Sequence, residues 1–186
     1  MTGLSRKRKQ GFGVLPTRSV LLVCHSEDKE WSERIAANGR KYQINIGVEV
    51  MASLSTLQVD VDYDVVVLAA PHGNTMDCGF WWSRTKPTSW GLIYGTHPKV
   101  RAKTRALLQR IESRASVLVL CTCNQGLYLT AYRELLGSNS GLVLCGWDYE
   151  ILCNYPQCNT WISRGCRLSA LRVGSHLGRH VVINKK

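Results

Sequence analysis

Residues 63–71 read YDVVVLAAP. After Asp64 the chain is apolar at both odd and even positions, and the first three of these side chains are β-branched. A strand with one wet face would alternate. A strand apolar on both faces belongs inside a parallel sheet that is covered from both sides. Pro71 ends the run, because proline cannot donate to a sheet ladder. The same pattern recurs in SVLLVCH (19–25), SVLVLCTC (116–123) and GLVLCGW (141–147), with INIGVEV (44–50) as a further strand. Between them lie stretches with helical spacing. EDKEWSERIAANGRKY (27–42) opens after Ser26 with acids in its first turn. HPKVRAKTRALLQRIESR (97–114) carries Pro98 near its start, and LYLTAYRELLG (127–137) ends in glycine. Strands alternating with helices predict an α/β fold, a three-layer α/β/α sandwich around a mainly parallel sheet.

The chain of 186 residues has the length of one domain, and 45% hydrophobic with 20% charged residues is the composition of a folded protein. No apolar run approaches the roughly 18 residues a membrane span needs. Residues 1–18 lack the apolar stretch of an export signal, so the expected location is intracellular, in the cytoplasm. The net charge of +11 is unevenly placed. Residues 1–18 hold five basic and no acidic side chains, residues 151–186 six and none, and residues 19–150 thirteen of each. The expected organisation is a flexible basic tail over 1–18 and a single domain over 19–186. Arg6, Lys7, Arg8 and Lys9 offer either a nuclear address or a solubilising tail, and the two basic ends offer a surface for nucleic acid or another anionic partner.

The chain has eight cysteines. In a reducing compartment they serve as buried thiols, metal ligands or nucleophiles. Cys24, Cys121 and Cys145 sit inside apolar runs, and at least two of the three read as small buried hydrophobes. Cys145, Cys153, Cys158 and Cys166 have the spacing C-x7-C-x4-C-x7-C, in which only the central pair comes close to the tight pair that a zinc site usually shows, so no metal is expected.

In sheets of this kind, sites form beyond the C-terminal ends of the strands. VVVLAAPHG (65–73) places His72 just past one strand, and VLVLCTCNQG (117–126) places Cys123 just past the next, 51 residues later. If these strands are neighbours, about 5 Å apart, the two groups face each other across a cleft. A thiol becomes a good nucleophile at neutral pH when a base stands beside it. Gly73 and Gly126 leave the backbone open to a substrate, and the N–H groups of Gly73 and Cys123 could form an oxyanion hole. Cys121, two residues earlier on the same strand, competes for the role of nucleophile.

This arrangement of apolar strand, His-Gly, spacer, apolar strand and Cys resembles the caspase-like cysteine peptidases, a group that includes caspases, metacaspases, separases, gingipains and the bacterial CHAT peptidases. VLVLCTCNQG is similar to the CHAT-type ending, in which Cys is followed by two residues and then Gly. The resemblance implies a caspase-like fold and a cysteine endopeptidase, a thiol protease working through an acyl-enzyme. In it His72 is the base, Cys123 the nucleophile and Gly73 an oxyanion donor. It implies a protein or peptide substrate, a regulatory protein partner, and no cofactor.

Glu27 and Asp28 after the first strand, and Trp147 and Asp148 after the fifth, are the candidates for the substrate pocket. Acids there predict cleavage after Lys or Arg, or no strong preference, over cleavage after Asp. The same acids at 27 and 28 also suit a helix dipole, and Trp147 could instead line an apolar pocket. Two other readings remain open. VLLVCHSEDKEW (20–31) resembles the opening strand and loop of TIR domains, which implies a signalling domain or hydrolysis of NAD. A catalytically inactive α/β module binding an anionic partner is the non-enzyme reading. The aromatic stretch Phe80, Trp81, Trp82, Trp90 and Tyr94 reads as a groove wall or as an apolar plug.

Overall fold

The computed structural model describes residues 19–25, 29–51, 54–69, 98–121, 129–147 and 181–184. Strands β1 (Ser19–His25), β2 (Asn45–Met51), β3 (Tyr63–Ala69), β4 (Ala115–Cys121) and β5 (Val143–Trp147) run parallel. A short β6 (Val181–Asn184) pairs antiparallel with β5, giving the order β2-β1-β3-β4-β5-β6. Helices α1 (Lys29–Lys41), α2 (Pro98–Glu112) and α3 (Leu129–Leu136) connect consecutive strands, and a single 3-10 turn (Leu54–Thr56) follows β2. The α/β class and the mainly parallel sheet are those expected from the strand pattern. The described parts of β3 and β4 run to Ala69 and Cys121, and the rest of the expected strands lies outside the described residues.

Alternate strand residues feed two separate cores. On one face Leu21, Val23, Val66, Leu68, Leu118, Leu120 and Leu144 pack with Leu107, Leu108 and Ile111 of α2 and Leu129, Tyr132 and Leu135 of α3. On the other, Val20, Leu22, Cys24, Val65, Val67, Val117 and Val119 join Trp31 and Ile35 of α1. Helices therefore cover both faces, which is why these strands are apolar at every position. Chain direction explains the split. β1 to β2 moves one way along the sheet and β3 to β4 to β5 the other, and right-handed crossovers then put their helices on opposite faces. Strand order reverses between β1 and β3.

Local chemistry sets the element ends. After α3, Gly137 adopts φ 86° and its N–H donates to the Arg133 carbonyl at 3.0 Å, the glycine stop read in the sequence. After α1 the same left-handed role falls to Gln43, at φ 59°, while the Ile44 N–H donates to the Gly39 carbonyl at 3.1 Å. Helix α1 exposes both signs of charge, and its ions face each other at i,i+4 spacing, Lys29 with Glu33 and Arg34 with Glu30. At the N-terminal rim of the sheet, Arg114 holds Asp62 at 3.1 Å and Ser19 donates from its backbone N–H to Asp64 at 3.0 Å.

Strand β6 departs from the expectation for the chain end. The segment from residue 151 on reads as a basic, solvated face, yet Val181–Asn184 belongs to the sheet. Among the described residues no helix is long and apolar enough to cross a membrane.

Candidate functional site

Because β1 to β5 are parallel, their C-terminal ends share one rim. Register partners put Cys24 level with Ala69, and Ala69 level with Cys121. Leu120 pairs with Gly146, so β5 reaches the same level at Trp147. The strands that precede the candidate residues thus end flush, in the order β1, β3, β4, β5. His72 is three residues past Ala69 in sequence, Cys123 two past Cys121, Asp28 three past His25, and Asp148 follows Trp147 directly.

The catalytic and pocket candidates Asp28, His72, Gly73, Cys123 and Asp148 lie outside the described residues, as do Glu27, Gly126, Cys153, Cys158, Cys166, the aromatic stretch at 80–94 and the tail at 1–18. Trp147 is described through its backbone, the last residue of β5, whose partner is Val181. The neighbourhood of β3 and β4, which the dyad requires, is present in the sheet. So is a separation that the sequence did not show. The strands preceding Asp28 and Asp148 stand on opposite sides of the β3–β4 pair, three strand spacings or about 14 Å apart. The two acids therefore start from opposite flanks of the rim.

The three described thiols are those of Cys24, Cys121 and Cys145. All are fully buried, none forms a disulfide, and all belong to the same core cluster. Burial raises the Cys145 thiol from its ordinary 9.0 to about 12, because the apolar surroundings cannot stabilise a thiolate. Cys121 is still inside the strand and within the core, so it offers no surface to a substrate. Cys145 occupies a strand position facing the core, away from solvent. Among the described residues no three His, Cys, Asp or Glu side chains converge where they could hold a metal ion.

At the opposite rim the polar groups have a structural role. Arg133 of α3 donates to the Ser140 hydroxyl at 3.3 Å and to the Leu142 carbonyl at 2.6 Å, and the Gly141 N–H donates to Glu112 of α2 at 2.9 Å. Partial burial lowers the Arg133 pKa from its usual value, while the nearby Glu112 opposes that shift. These contacts tie α2, α3 and the start of β5 together below the site. Comparison of the chain with protein-family models, with curated proteins and with solved structures finds no match.

Proposed function

We propose that the chain is a cysteine endopeptidase of caspase-like architecture, with His72 as base and Cys123 as nucleophile. One observation carries the reading: Ala69 and Cys121 are register partners on adjacent parallel strands. The segments that bear the histidine and the cysteine therefore leave the sheet side by side, at the rim where α/β sheets bind ligands. Three residues of chain reach about 11 Å and two about 7 Å, so the two groups are tethered to neighbouring points. Burial of Cys121 supports Cys123 as the nucleophile, since Cys123 is the next thiol along the chain.

In this reading His72 takes the thiol proton of Cys123, and the thiolate sulfur attacks a peptide carbonyl. The N–H groups of Gly73 and Cys123 receive the oxyanion. The C–N bond then breaks, with His72 returning its proton to the leaving amine. Water, deprotonated by His72, attacks the thioester and releases the acid. Asp28 and Asp148 favour a cationic residue before the scissile bond from opposite flanks, one beside β1 and one beside β5.

The test is cleavage of a peptide library together with labelling by a thiol-directed peptide electrophile. Wild type should cleave and be labelled, while Cys123→Ala and His72→Ala should each lose at least a hundredfold in turnover. Labelling that persists in Cys123→Ala and vanishes in Cys121→Ala would move the nucleophile. NAD consumption independent of any thiol would favour the TIR-like reading, and absence of both activities the interaction module. Faster turnover of substrates ending in Asp than of those ending in Arg would remove the role of the two acids.

A further inference from the structure

Helix α2 carries its charge in an unusual way. Lys99, Arg101, Lys103, Arg105 and Arg110 are its cations, and no acid occurs before Glu112. Burial of Thr104, Leu107, Leu108 and Ile111 fixes which side meets the sheet. With 3.6 residues per turn, Ala102, Ala106 and Gln109 then form the outermost ridge. Arg101 and Arg105 lie along one shoulder of that ridge, and Lys103 and Arg110 along the other.

Arg105 serves the fold, donating from Nε to the Leu135 carbonyl of α3 at 3.2 Å, but the spacing of the charges along the helix does not. Arg101 and Arg105 are like charges at i,i+4 spacing, which weakens a helix, and Arg101 stands near the N-terminus, where the helix dipole disfavours a cation. Helix α1 shows the alternative within the same molecule, with acids set opposite its cations at that spacing.

We infer that the outer face of α2 binds the phosphate backbone of double-stranded DNA without regard to sequence. Two cationic shoulders separated by the roughly 10–12 Å width of a helix match the roughly 12 Å between the phosphate strands that border a B-form major groove. The small side chains of Ala102 and Ala106 allow close approach. Leu107, Leu108 and Ile111 of α2 are committed to the core, and the exposed large hydrophobics among the described residues, Tyr42, Val50 and Val61, lie elsewhere. A membrane surface or a protein partner would call for apolar side chains on this face, and single strands for aromatic stacking platforms. The narrow, deep major groove of A-form RNA does not fit the same shoulders.

The experiment is fluorescence anisotropy of the full chain with a labelled DNA duplex of about 20 base pairs over a salt series. Wild type should bind with a steep salt dependence. Arg101→Glu with Lys103→Glu should weaken binding at least tenfold at low salt and reduce the log–log salt slope by about 2, near 0.9 per lost phosphate contact. Its melting temperature should be unchanged or higher, since acids near a helix start are favoured. If that variant melts early, Arg101→Gln with Lys103→Gln should still lose several-fold. Wild-type affinity in both variants overturns the inference, including the case in which only replacement of Arg6, Lys7, Arg8 and Lys9 by Gln abolishes binding. Tighter binding of duplex RNA, of single strands or of polyglutamate than of duplex DNA overturns it as well.

Discussion

The guanidinium of Arg133 donates to the buried carbonyl of Leu142 at 2.6 Å, the shortest of its contacts across the turn between α3 and β5. That turn has to bring the chain back into the sheet at the start of β5. Leu142 is itself in the core, so its carbonyl has no easy route to water. Arg133→Met should therefore lower stability by about 2–3 kcal/mol, the cost of removing charge-assisted hydrogen bonds and leaving an acceptor unmatched. Denaturant unfolding checks this, and a change below about 0.5 kcal/mol would show that water takes the place of the guanidinium.

Gly39 packs α1 onto β2 so closely that a Cβ there would collide with the side chain of Ile46, 2.7 Å from its Cγ1. Gly39→Ala should lose about 1–2 kcal/mol to overpacking, despite the better helix propensity of alanine. Combining it with Ile46→Val, which removes the outermost methyl group, should recover most of the loss. A double-mutant cycle reads this directly, with a coupling of about 1 kcal/mol expected and strict additivity counting against the contact.

The Cys145 thiol has its folded-state pKa raised from 9.0 to about 12 by burial. The fold retains the proton while the unfolded chain ionises above pH 9. Its contribution is therefore complete below pH 9 and is lost as pH rises towards 12. Between about pH 9 and pH 10.5 the wild type should lose stability relative to Cys145→Ala by up to about 1.4 kcal/mol per unit. Parallel denaturant curves for the two proteins check the slope; equal slopes would mean that the thiol reaches solvent in the folded state.

Among the described residues Cys121 is the last paired residue of β4, and it is fully buried. Replacing it by Ser puts a hydroxyl into the core and should cost about 1–3 kcal/mol. Turnover per folded molecule should stay within a few-fold of wild type if Cys123 carries the reaction. Active-site titration alongside a stability measurement separates the two effects. A hundredfold loss of turnover in a folded Cys121→Ser protein would mark Cys121 as the nucleophile.

The sequence by itself determined the α/β class and, among the described residues, strands β1 to β5 and helices α1 to α3, because residues such as Val65 to Ala69 are apolar at both parities and the helices between them are not. It also marked at least two of Cys24, Cys121 and Cys145 as core residues, since each is embedded in an apolar run, and the structure buries all three. It did not reveal β6: Val181–Asn184 is four residues long at a basic chain end, and such a strand is stabilised by a neighbour, β5, whose identity no local pattern encodes. Only the tertiary structure decided which strand ends are adjacent. Pairing of Ala69 with Cys121 is a contact across 52 positions of chain, and it sets the roots of the His72 and Cys123 segments together while separating those of Asp28 and Asp148. The same holds for charge. Residues 19–150 balance thirteen cations against thirteen anions on paper, but a sum along the chain does not see faces. Packing of Leu107, Leu108 and Ile111 against the sheet leaves Lys103 and Arg105 of α2 exposed, and Coulomb interaction depends on that placement in space, not on the total.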